Sequence, residues 1–241
     1  MSIIQQSWRH FRFHISHGPK PCLYFPKHGV VYINNPKSAC STIKRALTGD
    51  YETSSHDFHL KCRVNHTVYN NGEIPAATPC IFISRDPVSR FLSCYTDKVR
   101  GGLYNEIDHG QTRIIDNKTD KKKVLLVRGI RSELNLPDGS PISIDEFIEY
   151  VHGQFLKHGT NQVNPHYRPQ TDILNQAIVR PDFIGRLEDM PTLWDRLQSE
   201  YNFTAPIFRS MNTSKHRVSL RKSQIKLIQD LYKIDLDTLN Y

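Results

Sequence analysis

Two short segments of this chain gather side chains suited to holding anions. In Asn35-Pro-Lys-Ser-Ala-Cys-Ser-Thr42, Lys37 brings a positive charge and Ser38, Ser41 and Thr42 bring hydroxyl donors. The small residues Ala39 and Cys40 between them let a ligand come close to the backbone. In the second segment, Arg85-Asp-Pro87, the guanidinium presents a planar fork that matches a phosphate monoester, and Ser93 follows downstream. Neither segment reads GxxxxGK[ST], so the phosphate loop of nucleotide hydrolases is excluded. Between the two lie His56, His59 and His66, and His166 lies well beyond them. A neutral imidazole can take a proton near pH 7. The plainer alternatives are a surface lysine on an ordinary strand–helix connection for Lys37, and an ion pair with Asp86 or Asp97 for Arg85.

The elements that must position these groups are legible on either side of them. Gly29-Val-Val-Tyr-Ile-Asn34 is a β-branched apolar run bounded by turn formers and predicts a buried strand. Pro36 pushes Asn35 away from helical backbone, and a helix starts near Ser41-Thr42 and ends at Gly49. The pattern repeats at Cys80-Ile-Phe-Ile-Ser84, where Asp86 suits an N-cap and Pro87 the first helical position. The following helix carries Val88, Phe91, Leu92, Tyr95 and Val99 on one stripe, and Ser89, Arg90, Ser93 and Asp97 on the other. Two strand–loop–helix units predict an α/β fold with a parallel sheet. Ligands of such sheets bind beyond the carboxyl ends of the strands, where helix N-termini offer unpaired N–H groups and partial positive charge. Two such corners on neighbouring strands point to a ligand with two separated phosphate groups.

Downstream, Ser143 and Glu146 form a capping box, 158–172 reads as a loop rich in Gly, Asn and Pro, and Phe183–Glu188 is strand-like. Thr192–Tyr201 and Ser223–Tyr232 read as helices. A length of 241 residues fits a single domain, with 1–28 as an N-terminal extension and 103–140 as an irregular insertion or acceptor-side region. Lys and Arg exceed Asp and Glu by 32 − 24 = 8, which favours anionic partners such as nucleotides, nucleic acid or acidic glycans. No run of 18 apolar residues occurs, so no transmembrane helix is expected. The 5 cysteines are an odd number without CxxC pairs, which argues against a zinc ribbon or a disulfide scaffold and for reduced thiols.

At this point the motifs match a family. Asn35–Leu47 resembles the 5′-phosphosulfate loop of carbohydrate sulfotransferases, and Ile83–Lys98 is similar to their 3′-phosphate motif. Asn164-Pro-His-Tyr-Arg-Pro-Gln170, Phe183–Met190 and Leu231–Asp235 extend the resemblance in the expected order over residues 30–241. Cys40 and Lys44 bring it nearest the Golgi branch that sulfates chondroitin-like and related glycans.

The resemblance implies an α/β, P-loop-kinase-like sandwich with a central parallel sheet flanked by helices. It also implies transfer of a sulfuryl group from 3′-phosphoadenosine 5′-phosphosulfate (PAPS) to a carbohydrate hydroxyl, leaving 3′-phosphoadenosine 5′-phosphate (PAP). Lys37, Ser38, Ala39, Cys40, Ser41 and Thr42 would hold the 5′-phosphosulfate, and Arg85 and Ser93 the 3′-phosphate. Lys37 would stabilise charge on the leaving oxygen. By analogy the general base lies between the two phosphate motifs, which favours His56 and then His59. His166, Arg168 and Gln170 would contact the acceptor, an anionic polysaccharide or glycolipid among the candidates, with His166 the base of last resort, and Lys121–Lys123 with Arg128 and Arg131 are further candidate glycan contacts. No metal and no nucleic acid enter this scheme. The alternatives are a nucleotide kinase of related fold and a non-catalytic polyanion-binding module. With a Met standing shortly before the first strand, a cytoplasmic enzyme of bacterial type is expected, with a luminal or secreted domain as the alternative.

Overall fold

A computed structural model describes residues 22–102, 118–201 and 218–241. Its strands are β1 (Cys22–Phe25), β2 (Val30–Ile33), β3 (Thr67–Val68), β4 (Cys80–Ser84) and β5 (Phe183–Arg186). Its helices are α1 (Cys40–Thr48), α2 (Ser55–His66), α3 (Pro87–Cys94), α4 (Lys118–Glu133), α5 (Ile144–His158), α6 (Gln170–Gln176), α7 (Met190–Tyr201), α8 (Lys222–Leu231) and α9 (Lys233–Leu239). A π-helical turn, Tyr95–Arg100, continues α3 without a break.

The sheet order is β3-β1-β2-β4-β5. β2, β4 and β5 are parallel, with Val31 opposite Cys80 and Ile81 opposite Phe183. β1 pairs antiparallel with both β2 and β3, so the parallel centre carries an antiparallel edge. Side chains alternate across the pleat. Val30, Tyr32, Ile81 and Ile83 face Ile43 and Leu47 of α1 and Leu193, Trp194 and Leu197 of α7. Val31, Ile33, Cys80 and Phe82 face Ile173 of α6 on the other side. A second core, mostly helical, gathers Phe91, Val99, Val127, Ile130, Phe147, Val151 and Ile228 from α3, the π turn, α4, α5 and α8, with Tyr232 just past α8 and Ile142, Val163 and Tyr167 from connecting segments.

The structure revises three expectations drawn from local pattern. β1 lies inside the supposed N-terminal extension and turns into β2 through Gly29, whose φ of 56° suits a residue without a Cβ. Helix α4 occupies part of the supposedly irregular 103–140, burying Val124, Val127, Ile130 and Arg131 at helical spacing. Helix α6 begins inside the expected 158–172 loop, at Gln170. Gly102 explains how α4 comes so near the π turn: a Cβ there would stand 2.8 Å from the Lys123 carbonyl oxygen.

Candidate active site

The β2–α1 loop leaves the carboxyl end of β2 in unusual backbone. Lys37 (φ 71°) and Ala39 (φ 53°) both adopt left-handed conformations, which cost a non-glycine residue about 1–2 kcal/mol each. Ala39 is the N-cap of α1 and provides no side-chain cap. The first helical bond runs from Ile43 N to Ala39 O at 3.0 Å, so the N–H groups of Cys40, Ser41 and Thr42 precede the helix ladder. Such an end fits an anion such as the phosphosulfate of PAPS, because backbone donors and the helix dipole face the same way.

Buried hydrogen bonds hold this loop in place. Asn35 Nδ2 reaches Ser38 Oγ (3.0 Å), Ile83 O (2.9 Å) and Gln170 Oε1 (2.7 Å). Gln170 also accepts from Arg85 N (3.0 Å) and donates to Arg85 O (2.8 Å), while Arg85 Nη1 donates to Lys37 O (2.9 Å). The two candidate phosphate corners are therefore one hydrogen-bonded unit. Asp235 of α9 closes it from behind, accepting from Gln170 N and Thr171 N at 2.8 Å each. Ser93 stands half-buried on α3, and among the described residues no hydrogen bond joins its hydroxyl to Arg85.

Asp97, on the π turn, forms ion pairs with Lys37 (2.9 Å), Lys98 (3.0 Å) and Lys123 (3.0 Å). Burial would push its pKa up, but the three ammonium groups outweigh burial and hold it far below the usual carboxylate range. Asp97 was a sequence candidate for pairing with Arg85; the structure gives it to Lys37 instead. Arg90 is buried and donates to Pro36 O (3.0 Å), Arg168 O (2.8 Å) and Pro165 O (3.0 Å). It thereby fastens the 164–170 loop to the Lys37 loop.

The histidines divide. His59 lies between Lys44 Nζ (2.8 Å from Nδ1) and Ser41 Oγ (3.0 Å from Nε2). An ammonium only donates, so Nδ1 accepts and Nε2–H donates to the serine. Both ring nitrogens are engaged, which makes His59 a brace for the loop and leaves it no lone pair for an acceptor hydroxyl. His56 falls in α2, but its side chain lies outside the described residues. His166 is half-buried, with Nδ1 2.8 Å from Asn164 Oδ1.

Two expected acceptor contacts prove to be framework. Arg168 is buried against Val163 O and Gln176 Oε1, and Gln170 is fully buried in the network above. Of the candidate glycan contacts, Lys123 pairs with Asp97, Arg131 is buried and donates to Ser140 O, Lys122 and Arg128 are exposed, and the Lys121 side chain lies outside the described residues. The sequence gives Arg90 and Asn164 places in motifs but no role in the site. Arg90 sat on the polar stripe of an amphipathic helix and gave no sign of being buried.

The profile of the Sulfotransferase family matches residues 20–241. The chain belongs to that family. Membership displaces the nucleotide-kinase alternative, and the α/β layering agrees with the P-loop-like sandwich expected of it. Human carbohydrate sulfotransferase 9 is 22% identical over 96% of this chain and 55% of its own length. Human carbohydrate sulfotransferase 8 is 21% identical over 89% of this chain and 54% of its own length. The chain thus spans about half the length of the curated relatives it matches. No solved structure matches it significantly. The cytoplasmic, bacterial-type expectation is corrected by these matches: carbohydrate sulfotransferases of the Golgi branch are luminal, which agrees with the luminal alternative alone. No helix among the described residues is long and apolar enough to cross a membrane.

Proposed function

We propose that this chain is one sulfotransferase domain that moves a sulfuryl group from PAPS to a hydroxyl of a carbohydrate. The observation that carries the reading is the uncapped N-terminus of α1 beside Lys37, tied through Gln170 and Arg85 to a second basic corner on the adjacent parallel strand. The donor, when bound, supplies a sulfuryl group on a phosphate that is a good leaving group. Lys37, the N–H groups of Cys40, Ser41 and Thr42 and the hydroxyls of Ser41 and Thr42 hold the 5′ end, while Ser38, buried with its hydroxyl on Gln170 Oε1 and its N–H on Asn35 O, braces the loop. Arg85, with four of its five N–H donors beyond the one given to Lys37 O, holds the 3′-phosphate together with Ser93.

Lys37 has a second task. Its ammonium stabilises charge on the departing phosphate oxygen, the place where donor groups act most strongly on rate. To do so it exchanges Asp97 for the ligand, and Lys98 and Lys123 remain as counter-ions for the carboxylate. His59 serves by orienting Ser41: because Nε2–H donates to Oγ, the serine proton is left to point at an anion.

The test has two steps. PAP should raise the melting temperature where ATP with Mg²⁺ does not, and labelled PAPS should transfer label to a member of a panel of desulfated glycans and glycosides. Stabilisation by ATP with Mg²⁺ alone would refute the donor assignment. Stabilisation by polyanions with no transfer from PAPS would mark a binding module.

A further inference from the structure

The carbonyls of Pro36 and Pro165 lie on the same guanidinium, each 3.0 Å from a nitrogen of Arg90. A guanidinium is a small rigid plane. The chain just before Lys37 and the chain just before His166 are therefore pinned side by side. The His166 ring is fixed as well. Its backbone N–H donates to Asn164 Oδ1 at 3.0 Å, which identifies that atom as the oxygen of the amide. Nδ1 lies 2.8 Å from the same oxygen and must carry a proton, so Nε2 carries the lone pair. His59 has the opposite tautomer, with its lone pair taken up by an ammonium.

We propose that His166 is the base that accepts the proton of the acceptor hydroxyl, with Asn164 and Arg90 as its positioning residues. The proposal rests on the sulfuryl-transfer reading above. The hydroxyl oxygen forms the new S–O bond while the bond from sulfur to the 5′-phosphate oxygen breaks. That oxygen keeps the electron pair, and the hydroxyl proton moves to His166 Nε2, from which solvent later removes it. The charged groups facing the ring are Lys37 from the β2–α1 loop, Arg90 from α3, and Asp97 and Lys98 from the π turn. Burial and the three cations outweigh Asp97 and keep the imidazole neutral well below its usual range. A base that is neutral before the acceptor arrives needs no prior loss of a proton.

Variant kinetics, calorimetry, pH–rate profiles and NMR on the full chain test this. His166→Gln should lower kcat by about 10²–10⁴-fold while calorimetric affinity for PAP stays within a few-fold. Wild type should keep its rate as pH falls through about 6.5, the midpoint of an ordinary imidazole. Asn164→Asp sets a carboxylate beside Nδ1, favours the imidazolium, and should move the acidic limb to higher pH. Nitrogen-15 NMR of the nucleotide-free protein should find a neutral Nδ1–H ring at pH 6.5, independent of turnover and of whether His166→Gln folds. A wild-type rate in His166→Gln, an unmoved limb in Asn164→Asp, or a ring that titrates near 6.5 would each overturn the assignment. If wild type itself neither binds PAP nor transfers sulfuryl, the donor reading has failed and the proposal falls with it. Transfer that survives His166→Gln removes only the base.

Discussion

Helices α1 and α3 both start at the carboxyl ends of neighbouring parallel strands, yet their N-termini are built oppositely. α1 has no side-chain cap, and its entry residues Lys37 and Ala39 are left-handed. α3 is closed: Asp86 Oδ1 accepts from Ser89 N at 2.7 Å, and Pro87 has no N–H to offer. The first end can hold an anion with its backbone, and the second has already filled that place with a carboxylate of its own. Any anion at the second corner must be held by side chains, which is where Arg85 stands. Topology alone would have made the two corners equivalent. The residue at the cap tells them apart.

The largest effect expected from breaking the backbone corner is on rate. Lys37→Ala should lower kcat by about 10²–10³-fold, with PAP affinity falling less, and single-turnover transfer from labelled PAPS measures both. At the side-chain corner the effect should be on discrimination. Arg85→Ala removes a charge-assisted contact of about 1.5–3 kcal/mol, so preference for PAP over adenosine 5′-phosphate should shrink by roughly 10- to 150-fold in competition binding. Unchanged preference would move the 3′-phosphate elsewhere.

Asp97 reaches from the α3 side to the Lys37 side, and its effect should appear in stability. Its folded pKa lies far below its unfolded value of about 3.9, so its contribution is complete at neutral pH and is lost only as pH drops below that value. Melting curves of wild type and Asp97→Asn should differ by a constant amount from pH 8 to about 4 and converge in stronger acid. The smallest effect belongs to the cap. Asp86→Ala should cost about 1 kcal/mol, or a fall of about 2–4 °C in Tm. A matching loss of kcat would show that the α3 end does more than close a helix.

Local chemistry carried the sequence reading a long way. Strands β2 and β4, the Asp86–Pro87 start of α3 and the capping box of Ser143 and Glu146 all stand where residue type and spacing predicted them. What escaped was set by distant partners. β1 is four residues long and bounded by prolines at 21 and 26, too short for alternation to register. Among the described residues Arg90 bonds only to backbone carbonyls, which leave no mark on residue type. His59 was singled out by its place between the motifs, but its role depends on Ser41 and Lys44, which share a face of α1 and meet it only when α2 folds back. The family resemblance marks Gln170 as an acceptor contact; burial and four side-chain hydrogen bonds to Asn35, Ser38 and Arg85 make it a hub.

Asp235 gives that hub a consequence for cooperativity. One carboxylate on α9 takes the amide protons of both Gln170 and Thr171, and Gln170 in turn joins the β2–α1 loop to the end of β4. Local opening of α9 would release the Gln170 backbone, and with it the junction of both corners, in a single event. In native-state hydrogen exchange the amides of Gln170 and Thr171 should therefore exchange together with those of α9, as one unfolding unit. A ligand bridging the two corners would slow exchange at α9, an element it never touches.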